Sequence, residues 1–180
     1  MERSCAVSDS VIPFAPALDA VRKLRNGECV HWGKDLARTR IAGDVLLSVP
    51  VEGGASRLKR KGMDPAELNI SDHGAWRREH LGAWNAVYGK TPFFQHLYPL
   101  IEKVYNEHSH ASLAEFNAAM WGVVTDFLGS DAAMTDLERM KRELPRRFED
   151  IRNELATKVN LNYSIFDALF RLGKNIIFLL

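Results

Sequence analysis

Apolar positions are spaced in two different ways along the chain, and the change from one to the other falls near residue 70. Before it the runs are short and strand-like. Cys29-Val30-His31-Trp32 is one, and Val45-Leu46-Leu47-Ser48-Val49 is a second, closed by Pro50. Ala42-Gly43-Asp44 predicts a turn joining the second run to Arg38-Thr39-Arg40-Ile41. Residues 52–66 mix glycine, proline and basic side chains with neither a strand nor a helix period, and read as an exposed loop.

From Asp72 onward the period is that of helices. Asp72 is placed to cap a helix whose stripe is Trp76, His80, Trp84 and Val87, stopped by Gly89. Thr91-Pro92 predicts the start of a second helix, with Phe94, Leu97, Ile101, Val104 and Tyr105 on its inner face. Ser112-Leu113-Ala114-Glu115 has the capping-box spacing, followed by Phe116, Met120, Val123, Val124 and Phe127, with a stop near Gly129. The charged stretch from Thr135 to Ala156 is helix-compatible, but Pro145 should divide it after Leu144. A last capped start falls at Ser164-Ile165-Phe166-Asp167, with Gly173 in the stopping position. The expectation is an α+β fold: a small N-terminal β-sheet with a predominantly helical body, residues 1–180 forming a single domain.

Composition narrows the classes without choosing among them. With 46% hydrophobic residues in 180, the chain can build a core without staples. Its formal charge of +1 supplies no overall field toward nucleic acid or anionic lipid. The basic run Arg57-Leu58-Lys59-Arg60-Lys61 has no interleaved aromatics for base stacking, so it reads as a solvated loop and not as a nucleic-acid site. Cys5 and Cys29 fit neither a zinc spacing nor a disulfide framework and are expected as free thiols in a reducing compartment. The N-terminal stretch lacks the apolar core of a signal peptide, which points to the cytoplasm. Ile176-Ile177-Phe178-Leu179-Leu180 is far shorter than the ~20 residues of a membrane span and is expected as a buried terminal strand.

The chemistry-bearing candidates are few. Phosphate-loop, GxGxxG, GxSxG and HExxH motifs are absent from the sequence. His108 and His110 lack further ligands nearby, so no metal site is assigned, and nothing points to a particular cofactor. Arg38 and Arg40 alternate, so an extended backbone would aim both guanidinium groups to one side, where they could hold a phosphate or carboxylate; ordinary surface ion pairs are the alternative. His80 shares a helix face with Trp76 and Trp84. It is either an acid or base held against aromatic walls, reached through a solvent-filled cleft, or a core histidine with both ring nitrogens bonded.

The order of these pieces carries a resemblance. Arg38-Thr39-Arg40-Ile41, Leu47-Ser48-Val49-Pro50-Val51, Trp76 with His80, Tyr88-Gly89-Lys90-Thr91-Pro92-Phe93-Phe94, and Asn162-Tyr163-Ser164-Ile165-Phe166-Asp167-Ala168-Leu169-Phe170 followed by Gly173 are similar to the pattern of the WbqC-like family. Members usually carry a Gln-Pro near the start, where this chain has Ala15-Pro16, and an Asn-Arg-Asn-Arg where it has Ala37-Arg38-Thr39-Arg40. The resemblance implies a role in bacterial surface-polysaccharide (O-antigen) biosynthesis, on an activated sugar nucleotide or other anionic small molecule. Arg38 and Arg40 would sit on phosphate, His80 would act as acid or base, and Trp76 and Tyr88 would shape the pocket. A noncatalytic accessory protein of the same pathway is the other class that the resemblance allows, and the missing Gln and Asn groups argue for it.

Overall fold

Two short segments with alternating inward side chains pair as an antiparallel hairpin: β1 (Arg38–Ile41) and β2 (Val45–Ser48), joined by the 3₁₀ turn Ala42–Asp44. Arg38 stands opposite Ser48 and Arg40 opposite Leu46, while the N–H of Val49 extends the ladder to the Ala37 carbonyl at 2.8 Å. In a computed structural model, which describes residues 12–54, 56–59, 65–107, 111–129 and 132–180, this hairpin sits against a helical body. The fold is α+β, as the change of period predicts. Its helices among the described residues are α1 (Leu18–Arg25), α2 (Trp76–Tyr88), α3 (Phe94–Asn106), α4 (Leu113–Leu128), α5 (Ala132–Glu143), α6 (Pro145–Ala156) and α7 (Ile165–Leu172).

The predicted stripes face the core, except that Tyr88 is buried where Val87 is expected, while Val87 and Phe127 are only half-buried against it. Trp76, His80, Trp84 and Tyr88 of α2, Phe94, Leu97, Ile101, Val104 and Tyr105 of α3, and Phe116, Met120, Val123 and Val124 of α4 all turn into one hydrophobic core. Ser112 and Glu115 form the complete capping box, each satisfying a backbone N–H at the start of α4. Pro145 begins α6, so the charged stretch does divide after Leu144. Ser164 caps α7 by accepting from the Phe166 N–H at 3.1 Å.

Several expectations are corrected. Residues 28–32 form no strand; the chain there is irregular and then winds into a 3₁₀ helix over Gly33–Ala37. Asp72 does not cap α2, which begins at Trp76, because its carboxylate is held by Arg77 at 3.1 Å. Thr91 does not cap α3 either, since its hydroxyl turns back to the Tyr88 carbonyl at 2.6 Å and the helix starts at Phe94. The C-terminal apolar run is a 3₁₀ helix over Gly173–Phe178 rather than a strand, burying Ile176 and Leu179 but pairing with no sheet. Within the supposed loop, Arg57–Lys59 and Pro65–Glu67 are single 3₁₀ turns. Cys29 is disulfide-bonded and so not a free thiol. Cys5, His108, His110, Arg60 and Lys61 lie outside the described residues. Among the described residues no helix is long and apolar enough to cross a membrane.

Candidate functional site

Side chains alternate along a strand, so Arg38 and Arg40 share the face opposite Thr39 and Ile41. Thr39 and Ile41 are buried, and Thr39 donates its hydroxyl proton to the Ala15 carbonyl. The far edge of β1 is laced to the start of α7: Ser164 N–H donates to the Arg40 carbonyl at 2.7 Å, Ile165 N–H to Pro16 at 2.7 Å, and Leu18 N–H to Tyr163 at 3.0 Å. Three segments remote in sequence are thereby locked at one place, with residues 163–165 between β1 and the start of α1. Beside this junction lies a cavity of about 330 Å³ lined by Arg38 and Arg40 together with His31, Trp32, Asp35 and Asn162, over walls that include Pro13, Pro16 and Leu46.

The two guanidinium groups are held differently. Arg40 is half-exposed and lies 3.5 Å from Asp44, whose carboxylate also accepts from the Tyr163 hydroxyl at 3.4 Å. An ion pair that open to water contributes little and exchanges easily for another anion. Arg38 is partly buried, and among the described residues its side chain makes no hydrogen bond or ion pair. A partly desolvated cation that makes no ion pair favours an anion that enters the cavity. A larger hollow of about 430 Å³ is lined by Met134, Thr135, Glu138, Arg139 and Arg142. All of these belong to α5, so it is a groove on one helix and not a place where chain segments converge.

Trp76, His80 and Tyr88 do not line the cavity of the arginines. His80 is 6% exposed, with Nδ1 3.0 Å from the Tyr105 hydroxyl. That hydroxyl accepts from Trp84 Nε1 at 3.3 Å, which leaves its own proton for His80. Burial moves the His80 pKa from its usual 6.5 down to about 4, opposed by a backbone hydrogen bond with Ser48. Because that bond favours the charged ring, the ring must donate in it, to the Ser48 carbonyl. The chain therefore runs Trp84 to Tyr105 to His80 to Ser48 with a donor and an acceptor at every step and a neutral imidazole. This is the enclosed, doubly bonded setting of a structural histidine, and the ring lines neither of the two cavities described above. Burial likewise pushes the Tyr105 hydroxyl upward. Trp76 is packed edge-on to His80, 5.2 Å between centroids, with the Arg77 guanidinium 4.5 Å over its ring.

Tyr88 is fully buried and works as a tie between the hairpin and α7. Its hydroxyl accepts from the Ala42 N–H at 3.1 Å and interacts with the Asp167 carboxylate, which is itself bonded to Arg171 Nε at 3.1 Å. Burial, with Asp167 adding to it against the Ala42 bond, raises the Tyr88 pKa. The Tyr88 ring stacks on Phe170 at 4.6 Å, and Phe93 N–H donates to the Phe170 carbonyl at 3.2 Å. Gly173 has φ +56°, and a Cβ there would stand 2.5 Å from the Phe93 ring. The blocks that carry the family resemblance are thus in mutual contact: the arginine strand on Ser164, Tyr88 on Asp167, and Phe93 on Gly173.

The sequence profile described as the WbqC-like protein family matches residues 34–175, which takes in all of these blocks. The chain belongs to the WbqC-like family. No curated protein and no solved structure matches it. In this WbqC-like chain the structure brings together Arg38 and Arg40, as their alternation predicts, and leaves Trp76, His80 and Tyr88 in the core behind them. Sequence reasoning missed Trp32, His31 and Asp35, because 29–32 reads as a strand when taken alone. The available signal was their crowding into the eight residues before Arg38 and Arg40. Among the described residues, His, Cys, Asp and Glu side chains do not gather in threes as a metal site would require.

Proposed function

We propose that the cavity beside β1 binds the phosphate of an activated sugar nucleotide, Arg38 and Arg40 holding the anion, in the assembly of bacterial surface polysaccharide. The observation that carries the reading is Arg38, a partly buried side chain that lines the cavity and, among the described residues, makes no ion pair. Membership of the family supports the pathway, and the cavity supports the ligand class. His80, Trp76 and Tyr88 serve as framework: the first holds β2 through Ser48, directly opposite Arg38, and the last holds the turn between the strands.

A noncatalytic accessory role is the second reading. It is favoured by Ala15, which stands where the resemblance expects Gln and is wholly buried, so that position contributes no side chain to the cavity. Thermal-shift screening with nucleotide sugars tests the binding claim. A ligand at a hundred times its Kd stabilises the folded form by ~2.7 kcal/mol, a rise of several degrees for a domain this size. The rise should vanish in Arg38→Ala and shrink in Arg40→Ala. No rise with any phosphorylated ligand would refute the reading.

A further inference from the structure

Within the site just proposed, and resting on that reading, we infer that the cavity recognises the nucleoside diphosphate portion of its ligand, with Trp32 as the platform on which the base stacks. The four tryptophans are not alike. Trp76 and Trp84 are locked in ring contacts with His80, Tyr88, Tyr105 and the core phenylalanines, and Trp121 packs against the core. Trp32 is neither in the core cluster nor among the half-buried side chains packed on it, and among the described residues it makes no ring contact. It lines the cavity, six residues before Arg38.

An indole left without a ring partner, in the same cavity as a guanidinium that makes no ion pair, suits a ligand that has a flat face joined to an anion. Leu46, 52% exposed and also lining the cavity, extends the apolar wall. Asp35 and Asn162 supply acceptors for hydroxyl groups, which a ribose carries and inorganic phosphate does not. Two arginines match the two phosphates of a diphosphate. The volume, about 330 Å³, falls at the low end of small-molecule sites, so it holds the nucleotide and leaves the transferred sugar at the mouth.

Titration calorimetry with uridine and adenosine diphosphate, pyrophosphate and a hexose 1-phosphate decides it. At least one nucleoside diphosphate should bind about tenfold or more tighter than pyrophosphate, the gain that one base–aromatic stack supplies. Trp32→Ala should erase that gain while leaving pyrophosphate affinity within about twofold, and Trp32→Phe should keep part of it. Unchanged nucleotide affinity in a folded Trp32→Ala protein overturns the inference, as does a hexose phosphate that binds tighter than either nucleotide. If no probe, pyrophosphate included, binds, it is the phosphate site itself that fails, and the inference with it.

Discussion

Acidification should destabilise the protein through His80. The perturbation is the proton itself: in the folded state Nδ1 accepts from Tyr105, whose oxygen already accepts from Trp84, and the other nitrogen donates to Ser48. A proton on Nδ1 places a charge in a buried site, and that desolvation is why the pKa falls from 6.5 to about 4; it also reverses the Tyr105 bond. The unfolded chain binds this proton near pH 6.5 and the folded protein only near pH 4. Between those values the unfolded state holds more protons, so stability is complete above pH 6.5 and is lost as the pH falls. The slope is ~1.4 kcal/mol per pH unit, and the whole window is worth about 3 kcal/mol, flattening below pH 4. Other histidines and the carboxylates titrate too, so the assay is a difference. Urea unfolding is measured from pH 7.5 to 4 for the native protein and for His80→Gln, which cannot ionise. The variant should begin about 1–3 kcal/mol less stable and should lose less on acidification, the gap closing by pH 4. Parallel pH curves for the two proteins would refute the neutral, doubly bonded assignment.

Gly173→Ala should cost about 2 kcal/mol or more, because the residue has φ +56° and the added methyl meets the Phe93 ring; chemical denaturation measures it, and a neutral effect would show that α7 and the Phe93 segment are not in this contact. Ser112→Ala removes half of the capping box and should cost about 1 kcal/mol in the same assay. Arg38→Ala should leave the melting temperature of the unliganded protein within about 1 °C, since a side chain that makes no hydrogen bond or ion pair among the described residues contributes little, yet abolish the nucleotide-induced rise. Tyr105→Phe leaves Trp84 Nε1 and His80 Nδ1 without their shared partner and should lose about 2–4 kcal/mol.

The helical body was legible because each helix there has a long apolar stripe and a local stop. Val104 and Tyr105 were readable as core from spacing alone, and Pro145 as a break from its missing N–H. Starts were harder. Asp72 and Thr91 have the right side chains for caps, but Arg77 and the Tyr88 carbonyl compete for them, and neither competitor is visible in a local window. Helix α1 went unread because only Leu18 and Val21 of its eight residues are buried, too short a stripe to stand out. The terminal apolar run had the composition of a strand, yet it winds into a 3₁₀ helix and pairs with neither strand of the hairpin. Of the candidate site, the alternation of Arg38 and Arg40 was legible. The location of His80 was not, since an apolar helix face is shared by core residues and cleft walls alike.

The same contacts that hide His80 explain why the arginine hairpin can be rigid although it has two strands and four residues in each. An isolated hairpin of that size is marginal in water. Here it is fastened at four points: Thr39 to Ala15, the Arg40 carbonyl to Ser164, the turn at Ala42 to Tyr88, and Ser48 to His80. These fastenings reach the hairpin from the N-terminal segment, α2 and α7, and the last two of these elements carry the family pattern. A guanidinium on a fluctuating hairpin would lose entropy on closing around an anion, and preorganisation removes that cost. The motifs spread over the chain therefore have a common physical task, which is to fix one short strand so that its outward residues, Arg38 and Arg40, stand ready in the cavity.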